Sequence, residues 1–158
     1  SDDGAFTAVP TVVDGTVYVG SYGSDRLYGY DTGDGSTVVD IALPSEYGLS
    51  PWLAHNDGFL MGTATNTAFA FDTATNEIAW SAESQFESVA TAAGDVFLAV
   101  GNGDRPITAR NRADGSVAWT AGPEENLTGA LVYVDDRIAC LEADASVAEL
   151  VAWDPDDA

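Results

Sequence analysis

The sequence predicts an all-β fold, a β-propeller of four-stranded antiparallel blades, and three observations carry that prediction. A two-part phrase recurs about every forty residues, each copy contains short apolar runs, and turn residues separate those runs. Its best-kept column is Tyr28-Gly29-Tyr30-Asp31, Phe69-Ala70-Phe71-Asp72, Thr108-Ala109-Arg110-Asn111 and Val151-Ala152-Trp153-Asp154, whose acidic or amide positions lie 41, 39 and 43 residues apart. A fixed period of that size marks one supersecondary unit repeated along the chain. The apolar runs Val17-Tyr18-Val19, Phe59-Leu60-Met61, Val96 to Val100 and Ile138 to Leu141 hardly alternate with polar residues. Strands without alternation are buried on both faces, as they are in a blade stacked between two others.

The turns parse each unit into strands A to D. In the first unit strand A is Val9 to Val13, and Asp14-Gly15 turns into strand B. Asp-Gly is a strong hairpin signal because both turn positions need positive φ. Gly23-Ser24-Asp25 leads to strand C, and Thr32 to Gly35 leads to strand D, which carries Val39 where later units carry Trp80 and Trp119. The blades span about residues 6–43, 50–83, 88–122 and 129–158, three and a half to four in all, the last lacking its outer strand. An unclosed ring exposes strand edges and apolar blade faces. The units are therefore expected to belong to a larger ring, for example of eight blades, completed by further chain or by a second copy. Asp3 to Ala8 imitates a strand D and could instead close a four-bladed ring, but too few residues separate Phe6 from Pro10 to serve both strands.

Asp14-Gly15-Thr16-Val17-Tyr18-Val19-Gly20-Ser21 followed by Leu27-Tyr28-Gly29-Tyr30-Asp31 resembles the repeat of quinoprotein-type (pyrroloquinoline-quinone-like) propellers. Ala68 to Asp72 with Glu77 to Trp80, Asp114 to Trp119, and Leu150 to Asp154 keep parts of the same pattern, whereas Arg110-Asn111 departs from it. The resemblance implies a propeller. It also implies two kinds of role, a non-catalytic scaffold such as the propeller subunit of bacterial outer-membrane assembly, or an alcohol or sugar dehydrogenase holding the quinone with calcium. The dehydrogenases typically set a vicinal Cys-Cys pair against the quinone, and this chain has only Cys140, so no cofactor residue carries over.

Composition bears on habitat. Twenty-six acidic residues face five basic ones, all arginine, for a net charge of −21. Such a surface repels itself in dilute buffer, whereas molar salt shortens the screening length to about 3 Å. A halophilic, archaeal source is the expectation. The acids are dispersed, not gathered in a tail, and no basic patch exists to release counterions from nucleic acid. No run of about eighteen apolar residues spans a membrane. The start Ser1-Asp2-Asp3 lacks signal-peptide character, and the sequon Asn126-Leu127-Thr128, with the resemblance, favours the cell surface or secretion.

No constellation with catalytic spacing emerges. His55 flanks a turn without a second histidine, and Cys140 lies in an apolar strand where a small buried hydrophobe is the plain reading. Asp31-Thr32-Gly33-Asp34-Gly35-Ser36 has spaced oxygens resembling part of a calcium loop, which makes Asp31 and Asp34 the only metal candidates. Its repeats, Asp72 to Asn76 and Asn111 to Gly115, fit a structural turn better: a side chain accepts a backbone N–H ahead of a positive-φ residue. Calcium or pyrroloquinoline quinone enters only with the dehydrogenase reading.

Topology nominates a binding face. A–B and C–D turns share one rim, where they are tight and repeated. B–C turns and D–A crossovers share the other and vary: Asp25-Arg26, Asn102 to Pro106, Glu142 to Ser146, and crossovers with Tyr47, Phe86 and Asn126. Variable loops on a rigid scaffold are where binding is expected. Arg26, Tyr47 and Arg105 are the candidates for contacting a protein or small-molecule ligand. The function expected is a non-catalytic scaffold or binding module; the alternatives are a fragment of a quinone- or calcium-dependent dehydrogenase and a sensor domain of a larger membrane or signalling protein.

Overall fold

The computed structural model describes residues 9–20, 25–44, 53–64, 66–84, 88–101, 107–121, 131–135, 137–143 and 148–153. These form four antiparallel sheets, each a meander of consecutive strands. Blade 1 comprises β1 (Thr11–Val13), β2 (Thr16–Gly20), β3 (Arg26–Asp31) and β4 (Thr37–Ala42). Blade 2 comprises β5 (Ala54–Asn56), β6 (Phe59–Ala64), β7 (Thr67–Asp72) and β8 (Glu77–Glu83), and blade 3 comprises β9 (Ser88–Ala93), β10 (Val96–Val100), β11 (Ile107–Asn111) and β12 (Val117–Ala121). Blade 4 has three strands among the described residues, β13 (Val132–Val134), β14 (Arg137–Ala143) and β15 (Ala148–Trp153). The all-β propeller architecture expected from the repeat is thus the one observed.

Local sequence explains the hairpins. Asp14 and Gly15 have φ of 45° and 81°, and Asp57 and Gly58 have φ of 46° and 80°. Two successive positive-φ residues form the turn whose twist matches the flanking strands. The middle strands are buried on both faces: β6 from Leu60 to Ala64 and β7 from Ala68 to Phe71 are buried throughout. Outer strands β4 and β8 alternate, because one face packs and the other meets solvent.

The blades stack through three apolar seams. Val13, Tyr18, Leu27 and Val39 of blade 1 pack on Leu60, Phe69 and Phe71 of blade 2. Ala54, Met61, Ala70 and Trp80 of blade 2 meet Phe97 of blade 3, and Leu98, Ile107 and Ala109 of blade 3 meet Leu131 and Ile138 of blade 4. The innermost strands touch in the order β1, β5, β9, β13 and so line the axis. Each blade has a forward face directed at the next blade and a rear face directed at the previous one.

A register shift occurs at the same place in three blades, between Gly29 and Tyr30, Ala70 and Phe71, and Ala109 and Arg110. The extra residue sits in the outer strand and increases the local twist. It sets Val39 and Trp80 back onto the forward face, where both are buried.

Tyr18 is buried in the first seam, its ring 5.7 Å from that of Phe71. Burial pushes its hydroxyl above the usual value of 10.0, a cause larger than the opposing hydrogen bond with Thr16 and the repulsion from Asp14. An acid whose folded pKa is raised contributes stability below its unfolded pKa and loses it as pH rises through the folded one. Thermal melts between pH 9 and 11 should therefore show a falling alkaline limb that Tyr18→Phe flattens. An identical limb in the variant would remove Tyr18 as its source.

Candidate functional site

The rim of tight turns is stitched to itself. Thr32 N donates to the Gly15 carbonyl at 2.8 Å, Thr73 N and Oγ1 donate to the Gly58 carbonyl at 2.9 and 2.8 Å, and Arg112 N donates to the Asp95 carbonyl at 2.9 Å. In blades 1, 2 and 3 the A–B turn is thereby tied to the C–D turn of its own blade. This leaves few backbone groups of the turns to meet a ligand.

The metal candidates Asp31 and Asp34 lie in one of these C–D turns. Asp31 Oδ1 accepts from Gly33 N at 2.7 Å and Asp34 N at 3.3 Å, and Asp34 Oδ1 accepts from Ser36 N at 2.8 Å. Asp72 repeats the pattern with Ala74 N and Thr75 N at 2.8 and 3.3 Å. In blade 3 Asp114 Oδ1 takes Ser116 N at 2.9 Å and Ser116 Oγ at 2.6 Å, while Asn111 Nδ2 donates to Ser116 Oγ. These carboxylates are engaged by their own backbone, and among the described residues no three His, Cys, Asp or Glu side chains cluster as a metal would need. Hydrogen bonds from the side chain and then the backbone of Ser36 hold Asp34 below the usual carboxylate value, and Ser116 does the same for Asp114. Their contribution to stability is present above the unfolded pKa and lost as pH falls through the depressed one.

Arg26 opens β3 at the opposite rim, beside Asp25, whose carbonyl accepts from Leu43 N at 2.7 Å. Its guanidinium is tied to the Asp40 carboxylate of β4 and donates through Nη2 to the Asp40 carbonyl at 3.2 Å. The hydrogen bond to the Asp40 carboxylate is the main reason its pKa is raised, which keeps Arg26 cationic. Tyr47 and Arg105 lie outside the described residues, as do Asn102 to Pro106, Phe86, Asn126 and the strand-like Asp3 to Ala8. His55 is exposed on β5, and Cys140 lies on β14 opposite Val151.

Arg110-Asn111 departs from the repeat for a structural reason. Arg110 occupies the position of Tyr30 and Phe71, is buried, and donates to the carbonyls of Gly115 at 3.1 Å and of Glu83 in blade 2 at 2.9 Å. It is a rivet across the second seam.

Sequence reading missed the rest of that seam. Trp80 Nε1 donates to the Arg112 carbonyl at 2.7 Å, and Arg112 bridges Asp57 of blade 2 and Asp95 of blade 3, each at 3.0 Å. Asn56 Nδ2 donates to the Gly94 carbonyl from the same side. The signal was present as two exceptions: Arg112 where the first two units have Thr32 and Thr73, and Gly94-Asp95 where they have Asp14-Gly15 and Asp57-Gly58. Neither is interpretable until the turns of adjacent blades are known to meet.

This geometry of stacked meanders agrees with the match to a repeat family described as outer membrane protein assembly factor BamB, which covers residues 2–96 and, overlapping, 70–158. The chain belongs to that family. Solved structures resemble this BamB-family chain in fold. Over 85% of its length it matches BamB from Moraxella catarrhalis at 24% identity and a TM-score of 0.68, covering 40% of that chain. The propeller domain of Cps50 (Swd1) from Myceliophteria thermophila matches 98% of it at 11% identity and a TM-score of 0.76, with 53% of the longer chain covered. The computationally designed Ika4 protein matches 97% of it at 16% identity and a TM-score of 0.76, and there 92% of the other chain is covered. The BamB-family chain thus spans about half or less of the natural propellers it resembles. No curated protein matches its sequence.

Proposed function

We propose that the chain is a non-catalytic β-propeller scaffold that holds a partner protein on the rim of B–C turns and D–A crossovers. The supporting observation is the contrast between the rims. Along one, turn carboxylates and backbone groups of blades 1, 2 and 3 are engaged in nearly repeated stitches. On the other the repeats diverge in length and sequence, and arginines and a tyrosine stand among them. A family described as an assembly factor, and a likeness at a TM-score of 0.69 to a chain of the mitotic checkpoint complex, suit a protein-holding role.

The acidic composition supports a further part of the reading, a home in molar salt, and the sequon with the family favours the cell surface or the exterior. Among the described residues Arg26 and Arg112 neutralise Asp40, Asp57 and Asp95, and no helix is long and apolar enough to cross a membrane.

The test is a binding comparison at molar salt between the chain and native-host surface extract. Arg26→Glu, Tyr47→Ala and Arg105→Glu should lose a retained partner, whereas Asp34→Ala on the stitched rim should keep it. Equal loss on both rims, or quinone-dependent alcohol oxidation after loading with calcium and pyrroloquinoline quinone, would overturn the reading.

A further inference from the structure

Among the described residues no blade lies on the forward face of blade 4. Val134 is 53% exposed, while the equivalent Val13 and Ala93 are 6% and 8% exposed beneath the following blade. Ala152 is exposed, while Ala70 and Ala109 are fully buried; Val132 is 53% exposed, against 8% for Ala54. The rear face of blade 1 shows the complementary lack. Val17, Tyr28 and Tyr30 are each half-buried, whereas Leu60, Phe69 and Phe71 occupy the same positions in blade 2 and are fully buried. Among the described residues no apolar cluster joins blade 4 to blade 1.

The two faces are made for each other by the rule that builds the seams inside the chain. In strand C the forward-facing column is small, Gly29, Ala70, Ala109 and Ala152, and in the first seam the rear face of blade 2 brings large residues, Leu60, Phe69 and Phe71. Small against large is what lets two sheets interdigitate at close packing. Tyr28 and Tyr30, stacked with centroids 6.3 Å apart, offer the large side on blade 1, and Ala152 of β15, in one row with Ala139 and Val132, offers the small side on blade 4.

We propose that a second copy of this chain docks head to tail, the forward face of blade 4 of each copy packing on the rear face of blade 1 of the other. Two copies make two equivalent seams about a two-fold axis, and the ring closes. The chain covers 40%, 53% and 46% of three solved chains it resembles, so two copies bring together about as much chain as one of those holds. This inference continues the internal seams and is independent of the rim reading.

Sedimentation velocity of the full chain in molar salt, where repulsion between two such acidic chains is screened, should show a concentration-dependent dimer. Val134→Arg and, separately, Ala152→Arg place a charge on a face that is exposed in the single chain. Each should leave far-UV circular dichroism unchanged and weaken dimerisation about 100-fold or more, since an unpaired charge would be buried in the seam. Tyr30→Arg should act likewise from the other face. An equimolar mixture of Val134→Arg and Tyr30→Arg chains rebuilds one wild-type seam and should recover heterodimers. Wild-type chain that stays monomeric, whether closed on itself or awaiting further blades, overturns the proposal. So does a dimer that the three folded variants leave intact, or a mixture that fails to associate better than either variant alone.

Discussion

Dialysis from molar salt into dilute buffer is expected to unfold the chain, with the far-UV β signal lost below roughly 1 M salt. Twenty-six acidic side chains and five arginines share one small surface. The structure sharpens this imbalance, because three of the four described arginines are already spent locally: Arg26 on Asp40, Arg112 on Asp57 and Asp95, and Arg110 inside a seam. Carboxylates crowded on so small a surface repel one another through a screening length of about 10 Å at 0.1 M, and much less through one of about 3 Å at 1 M. Sodium and potassium chloride at equal ionic strength should protect equally if screening is the cause. Acidification in dilute buffer should partly replace salt by protonating carboxylates, while Ser36 and Ser116 hold Asp34 and Asp114 charged below the usual carboxylate value. A full β signal retained at low ionic strength and neutral pH would sink the argument.

Gly115→Ala is expected to cost about 3 kcal/mol or more, while Gly35→Ala, at the same place in another blade, costs about 1 kcal/mol. Both glycines have φ of +74°, so each alanine suffers the same backbone strain. They differ in what a new methyl group would meet. At Gly35 nothing lies within 4 Å, whereas at Gly115 it would overlap the Trp80 indole, with ring carbons Cδ2 and Cζ3 2.7 Å away. The indole cannot retreat, because Trp80 is buried and its Nε1 is bonded to the Arg112 carbonyl. Gly115 also presents its carbonyl to Arg110, so displacing the turn loosens the rivet to Glu83. Chemical unfolding in molar salt measures both variants. Equal losses would mean that backbone strain alone decides and that the contact with Trp80 contributes nothing.

That contrast shows how far the sequence could be read. The spacing of Asp31, Asp72 and Asn111 located three C–D turns, and Asp14-Gly15 and Asp57-Gly58 located two hairpins, because those signals act within a few residues of themselves. Arg110 read only as an irregularity, since its partner Glu83 lies 27 positions away on another blade. Asp31 and Asp34 read in sequence as a structural turn and only as weak metal candidates, because a carboxylate engaged by its own turn and one awaiting a cation have the same letters. Arg26 was legible as a rim residue, but its tie to Asp40 was not.

By itself the sequence determined the unit, its four-stranded meander, its turns and the acidity of its surface, all consequences of period, local φ preference and composition. Only the tertiary structure decided which residues form the seams, that Trp80, Arg110 and Arg112 fasten blade 2 to blade 3, and that blades 1 and 4 leave complementary faces. The physical reason is that strand pairing is local in the chain, whereas packing between blades joins positions about forty residues apart and depends on which face of each sheet its side chains occupy.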